Sequence, residues 1–418
     1  MTAIEFFDRT PIENIISSLT TSPDKIIFIG EGKLMKKYDR IYRAFLEKRG
    51  IKTEICYKSI RRNNITTTVE LLSEIVETED ECVFDLTGGD DLVLVAMGIV
   101  YQKYSGIKKI HMQRFNINNG VVNDCDNDGK IIFTGTPQIT VEENIMLHGG
   151  SICYEGDCDK KRTFSWDLDA DFTRDIEAMW DICKLNPGKW NSQLNVLEAI
   201  DDFAKSNPLE VAVNLSSLKE HLKVLDIKYI PLRSLLTKLS SQKLIYAYRE
   251  DEENISFIYK NEQVKKCLIK SGTILELKVL IAAKKAKENN GENTYNDFMN
   301  GVYIDWDGEI HNSNDTLRDT ENEIDVILMQ GLTPVFISCK NGAVDDDELY
   351  KLDAVTSRFG GNYAKKVLIA TYLNKKGKSL EYFRQRAKDM NILLIDGVHT
   401  LSNEKLEKII RNLLSIKE

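Results

Sequence analysis

Apolar and polar positions follow two different periods along this chain. Short apolar runs bounded by Gly, Asp or Lys read as strands, and apolar residues three and four apart read as helices. Over residues 1–150 the two periods take turns. Lys25–Gly30 (KIIFIG) predicts a strand ending in glycine, and 36–49 a helix with Tyr38, Ile41, Tyr42 and Phe45 on one face. Residues 51–57 predict a second strand, 68–76 a helix with Leu71, Leu72 and Ile75 inward, 81–86 a third strand, 92–104 an apolar helix and 107–115 a fourth strand. Strands alternating with helices predict a parallel, doubly wound, Rossmann-like α/β sheet.

The pattern then changes. Residues 151–165, rich in Cys, Asp and Lys, read as a loop. Helical spacing recurs at 172–185, 193–205, 215–225 and 231–242, followed by apolar runs at 244–248 and 255–259 around the acidic Glu250–Glu253. Helices followed by a hairpin resemble a winged helix-turn-helix. Basic residues do not gather on its second helix, so 151–262 is expected to be a connector or dimerisation module. From 263 to 418 the order is a helix (274–287), strands at 297–306, 323–329 and 334–340, a helix (346–358), a strand (366–371), then a further helix and strand: αβββαβ plus αβ.

Composition narrows the class. The chain has 418 residues with 42% hydrophobic residues and only 7 Pro, an ordinary globular make-up. No apolar run approaches the ~20 residues that span a bilayer. The first ten residues include Glu5 and Asp8 and lack a signal-peptide layout. The 8 Cys are scattered, which predicts reduced thiols and a cytoplasmic location without membrane attachment. Cys153 and Cys158 have no second pair, and His111, His148, His221, His311 and His399 form no ligand spacing, so zinc is not expected. The balance of 56 basic and 65 acidic residues, a charge of −9, excludes nucleic-acid binding over the whole surface but not at a local site. Lys284, Lys285, Lys287, Lys375, Lys376 and Lys378 are the expected basic rim of such a site.

Two clusters carry candidate chemistry. Thr87-Gly88-Gly89-Asp90 sits between a predicted strand and a predicted helix. Glycines there let a ligand approach the backbone, and free N–H groups at a helix start favour phosphate. Gly30-Glu31-Gly32 holds the analogous place after the first strand but lacks the third glycine of a dinucleotide fingerprint. From the residues alone, a phosphate site and an empty tight turn fit equally.

The second cluster is acidic and basic. Glu276 falls on the helix face of Leu280 and Ala283, where a carboxylate is costly unless paired or bound to a cation. Asp325 begins an apolar strand, and Lys340 ends the next one, sharing a face with Ser338. Glu276 and Asp325 are oxygen ligands suited to Mg²⁺ or Mn²⁺, with Lys340 stabilising charge on a scissile phosphate. Asp325 and Lys340 equally fit a structural ion pair, and Glu276 a first-turn acid favoured by the helix dipole.

A strand followed by Thr-Gly-Gly and an apolar helix resembles the CRISPR-associated Rossmann-fold (CARF) sensor domains. NEIDVIL, FISCKNG and LYKLDAVTSRFGG resemble the PD-(D/E)xK restriction-endonuclease-like domain of the CARF-linked effectors of type III CRISPR systems, the Can/Card type. The resemblance implies a homodimer whose paired sensor domains (1–150) bind a cyclic oligoadenylate, namely cyclic tetra-adenylate. It assigns effector contacts to Thr87, Gly88, Gly89 and Asp90, with Gly30, Glu31, Gly32 and Lys33 as a second segment. It implies a metal-dependent endonuclease, with Mn²⁺ or Mg²⁺, acting on DNA or RNA, single-stranded by expectation. Its catalytic set is Glu276, Asp325, Ser338 and Lys340. Ser338 stands where the family pattern has a carboxylate, and three readings follow. The cation is held by Glu276, Asp325 and the Cys339 backbone carbonyl, with Ser338 reaching it through water; or Glu348, and after it Asp353, replaces the missing acid; or the site is weakened. Glu321 and Glu323 join the site or remain solvated loop acids. The alternative function is a ligand-responsive DNA-binding regulator with a degenerate nuclease domain.

Overall fold

The computed structural model of the chain describes every residue except 61–63, 118, 127, 156–161, 204–206, 310–320 and 417–418. Cys158 and His311 therefore lie outside the described residues. Cys56, Cys82, Cys125, Cys183, Cys267 and Cys339 are free thiols. No helix among the described residues is long and apolar enough to cross a membrane.

The N-terminal part contains β1 (Thr2–Phe6), α1 (Ile16–Thr20), β2 (Lys25–Gly30), α2 (Gly32–Lys48), β3 (Glu54–Ser59), α3 (Ile65–Thr78), β4 (Glu81–Asp85), α4 (Asp91–Tyr104), β5 (Lys109–Asn116), β6 (Val121–Cys125) and β7 (Ile131–Gly135). These strands form one sheet in the order β3-β2-β1-β4-β5-β6-β7. It is parallel from β3 to β5, as the alternating pattern predicts. It is not parallel throughout: β6 and β7 add an antiparallel hairpin, whose short, polar strands left no apolar run to read. β1 is fully buried although it contains Glu5, the polar residue that masks its strand pattern.

Next come α5 (Val141–Leu147), β8 (Ser151–Ile152), α6 (Ala170–Cys183), α7 (Pro187–Asp201), β9 (Glu210–Asn214), α8 (Leu215–Val224), α9 (Arg233–Ser241), β10 (Ile245–Glu250), β11 (Asn254–Tyr259) and α10 (Glu262–Ile269). Strands β10-β11-β9 make a small antiparallel sheet beside α7, α8 and α9, the arrangement of a winged helix. Asn214 caps α8 by accepting from Ser216 and Ser217 N–H, which fixes the turn from strand to helix.

The C-terminal part has α11 (Thr273–Lys285), β12 (Asp297–Asp305), β13 (Glu321–Gln330), β14 (Thr333–Lys340), α12 (Asp347–Phe359), β15 (Lys365–Ala370), α13 (Gly377–Asp389), β16 (Ile392–Ile395) and α14 (Asn403–Arg411). The sheet order is β16-β15-β14-β13-β12-β8. One expectation fails here. Residues 151–165 are not all loop, because β8 pairs antiparallel with β12 as the edge strand. A two-residue strand carries no period to read.

Three apolar cores hold these layers. One lies between the C-terminal sheet and α6, α11 and the winged helix. A second joins the other face of that sheet and α12 to α2 and α5, running without a break from Phe28 and Phe45 to Phe336 and Phe359. The third packs α3 and α4 on the far face of the N-terminal sheet. The N-terminal and C-terminal parts are thus joined through one apolar core.

Candidate functional site

The acid–lysine cluster forms where the C-terminal sheet opens. Val326 and Leu328 face the first core, Ile327 and Met329 the second, but Ile324 also faces the second. Strand alternation therefore breaks at Asp325. Across the ladder, β12 breaks at Gly301, which adopts φ +56. β13–β14 pairing begins at Val326–Ile337. Ahead of it, the Asp325 carboxylate replaces the ladder: Oδ2 accepts Cys339 N–H at 2.6 Å and the Ser338 hydroxyl at 3.3 Å. Lys340 Nζ lies 3.7 Å from the same oxygen and 2.9 Å from Glu348 Oε2.

Glu276 enters from the first turn of α11, a helix buried from Thr273 to Ala283, and is itself only 4% exposed. Its side chain is hydrogen-bonded to Asn300. Burial first, and then the Asp325 charge, push its carboxyl well up. Burial likewise raises Asp325, against the pull of Lys340. Burial lowers Lys340, but Asp325 and Glu348 outweigh it and hold the ammonium above its ordinary value. Lys340 therefore acts as a fixed cation and hydrogen-bond donor.

Each site residue expected from the sequence has a place. Glu276, Asp325, Ser338 and Lys340 come together, and Glu348 joins them through Lys340. Asp353 does not, since it bonds Lys366 at 2.7 Å. Cys339 contributes its backbone, while its side chain is buried in the first core. Glu323 pairs with Lys270. Lys270 is a site residue that sequence reasoning missed: Glu276 and Glu323 hold its ammonium up, against burial. A single lysine at the end of α10 carries no signal of this. Of the expected basic rim, Lys375 bonds Asp346 at the start of α12, the helix that carries Glu348, while two others lie away from Glu276. Lys284 and Lys285 sit in the last turn of α11, at the end opposite Glu276, where they bond the Leu168 carbonyl and Glu177.

A cleft of about 400 Å³ opens onto Glu276, Asn300 and Lys270 from the winged-helix side. It is lined by Phe164, Trp166, Lys266 and Tyr303, and also by Glu198, Asp201 and Asp202. Lys266 stands 4.4 Å over the Phe164 ring. Aromatic faces beside cations suit a nucleic-acid strand.

No three His, Cys, Asp or Glu side chains are gathered at ligand spacing among the described residues. Two buried carboxylates, both raised by burial and Glu276 further by the Asp325 charge, fit a hard divalent cation which keeps several waters. Mg²⁺ is bound in this way.

In the N-terminal sheet, β1 is followed in the order by β2 on one side and β4 on the other. The crevice between their carboxyl ends is the switch point where such sheets bind ligands. The Thr87–Gly89 turn follows β4. Asp85 anchors it, accepting Thr87 N–H at 2.8 Å and holding Ser17 and Gln113. Thr87 Oγ1 accepts Phe115 N–H at 3.1 Å. Gly89 has φ +128, and a Cβ at Gly88 would overlap the Glu13 carboxylate. Asp90 turns back to cap α4, accepting Leu92 N–H at 3.2 Å, so its charge serves the helix. Gly30 ends β2, Glu31 precedes α2 without a capping side-chain hydrogen bond, and Gly32 and exposed Lys33 open that helix, one strand away. Glu13, in the segment after β1, was not expected; a lone glutamate between Ile12 and Ile15 gives no sign of facing a turn 75 positions away.

No family model matches the chain, and no curated protein does. Solved structures do. The protein VC1899 from Vibrio cholerae superposes with a TM-score of 0.72 at 19% identity, covering 99% of this chain and 97% of that one. Can2 from Sulfobacillus thermosulfidooxidans, solved in complex with cyclic tetra-adenylate, gives a TM-score of 0.64 at 17% identity, covering 99% of both. Over its whole length the chain shares the fold of VC1899 and of Can2.

Proposed function

We propose that this chain is a metal-dependent nuclease, acting as a homodimer and switched on by a cyclic oligoadenylate, in type III CRISPR defence. The convergence of Glu276, Asp325 and Lys340 where the β13–β14 ladder opens carries this reading. Glu276, Asp325 and the Cys339 carbonyl would hold the cation, with Ser338 reaching it through water. When bound, the cation supplies Lewis-acid charge and lowers the pKa of an attacking water. Lys340, kept charged by Glu348 and Asp325, donates to the scissile phosphate as negative charge builds there. Asp325 is held rigid by the Cys339 N–H. The cleft lined by Trp166, Phe164 and Lys266 receives a strand of DNA or RNA, with single-stranded substrate favoured because unpaired bases can stack.

The likeness to Can2 in complex with cyclic tetra-adenylate supports that ring as the activator, and the Thr87–Gly89 turn at the switch point would receive it. Helix α4, which leaves this turn, exposes Leu92, Val95 and Ile99 along one side, Val95 at 52%. A second copy packed on this stripe sets two turns side by side for one ring. The core shared by both parts of a chain makes rotation between protomers the natural switch. The reading is tested with labelled single-stranded DNA and RNA, Mn²⁺, and the ring present or withheld. Cleavage should require both the ring and the cation, and a chelator should end it.

The winged helix favours a second reading, a ring-responsive regulator that binds duplex DNA. Its α9 presents Arg233 and Lys238, but Arg233 is drawn to Glu250 at 3.4 Å. Ring-modulated duplex binding without cleavage is the outcome that selects it.

A further inference from the structure

Two segments border the switch-point crevice: the one after β1, which carries Glu13, and the Thr87–Gly89 turn after β4. Glu13 Oε2 lies in the space that a Cβ on Gly88 would need. Its other oxygen, Oε1, accepts the Tyr363 hydroxyl at 2.5 Å. Tyr363 belongs to the short turn Gly361–Tyr363 that follows α12, and a Cβ at Gly361 would lie 3.5 Å from Thr10, also in the segment after β1. One carboxyl group thus touches the effector turn on one side and the nuclease-like part on the other. Helix α12 continues from there for 13 residues, about 20 Å at 1.5 Å per residue. At its far end Glu348 holds Lys340 Nζ at 2.9 Å. Leu349, Leu352, Val355 and Phe359 seat the helix in a close-packed core, where displacement at one end reaches the other.

We propose that Glu13 and Tyr363 couple occupancy of the Thr87–Gly89 turn to the placement of Lys340, with α12 as the connecting element. The inference rests on the ring-gated nuclease reading. A ring phosphate on the turn brings negative charge beside the Glu13 carboxyl. Burial, with Asp8 and Asp85 adding to it and the Tyr363 bond opposing, already pushes this carboxyl up to about 7. It answers the phosphate by taking up a proton or by leaving Gly88, and either change alters the Tyr363 bond. The ring then has different contacts in the two states, which is what a coupled switch requires. Glu13 and Tyr363 are positioning residues.

The test uses full-length wild type, Tyr363→Phe, Glu13→Gln and the double variant. It reads affinity for cyclic tetra-adenylate by calorimetry, cleavage with and without the ring, and Tm. Tyr363→Phe should still bind the ring, yet its ratio of stimulated to unstimulated cleavage should fall about tenfold. Glu13→Gln should lower the ratio similarly, and the double variant no further than either alone, because both act on one connection. An unchanged ratio in Tyr363→Phe, with only Tm lowered, makes the contact a brace between domains and overturns the coupling alone. Losses that multiply in the double variant overturn it too. Wild type that neither binds nor answers the ring overturns the nuclease reading and the coupling together. If Glu13→Gln does not fold, Tyr363→Phe carries the test.

Discussion

Glu276→Gln separates the cost of the catalytic acid from its use. Burial and the neighbouring Asp325 move the Glu276 carboxyl from its ordinary 4.5 to about 8. A raised acid destabilises the fold. The penalty is absent below the unfolded value and grows with pH until the folded value is reached. At pH 7 the group sits about 2.5 pH units above its unfolded value, and each unit is worth about 1.4 kcal/mol, so the penalty is on the order of 3 kcal/mol without a cation. Glutamine matches the shape and keeps an oxygen for Asn300 while removing the charge. In chelator at pH 7 the variant should be more stable than wild type by on the order of 2–3 kcal/mol, and at pH 5 by under about 1 kcal/mol. Urea unfolding at the two pH values measures both. Mn²⁺ should then raise Tm in the wild type and not in the variant, because a ligand stabilises only the state that binds it. A variant no more stable than wild type at pH 7, or with the same gain at both pH values, refutes the buried-acid reasoning.

Three further outcomes are expected. Lys340→Ala should lower ring-stimulated cleavage by on the order of 100-fold or more while calorimetry still detects ring binding, since it removes charge placed for the transition state. Gly88→Ala should weaken ring affinity at least about tenfold, because its methyl would stand where a ring phosphate has to approach the turn backbone. Val95→Glu, at the centre of the exposed stripe on α4, should convert a dimer to a monomer in light scattering.

Much of the fold could be read because its elements are locally consistent. KIIFIG, the apolar helix α4 and the continuous apolar runs of β13 and β14 each carry a local signal, and the αβββαβ order follows from them. Asp325 and Lys340 stood out because charges at the ends of buried strands conflict with that pattern. What was hidden depends on distance. β8 is two residues long and becomes a strand only because β12 lies beside it. Lys270 and Glu13 look like surface charges until the fold places Glu276 and Gly88 against them. The part of Ser338 was also beyond the sequence: its hydroxyl donates to Asp325, supporting the acid that remains. The charge of −9 takes on a local meaning, since part of it is the carboxylate crowding at the site where a cation would sit.

Cleavage of labelled single-stranded DNA and RNA with Mn²⁺, across a panel of cyclic oligoadenylates of different ring size, tests the central claim most directly when wild type and Lys340→Ala are run side by side. The expected result is cleavage by wild type with one ring size, cyclic tetra-adenylate, and none by Lys340→Ala. Absence of cleavage with every ring, or equal cleavage by Lys340→Ala, would contradict it.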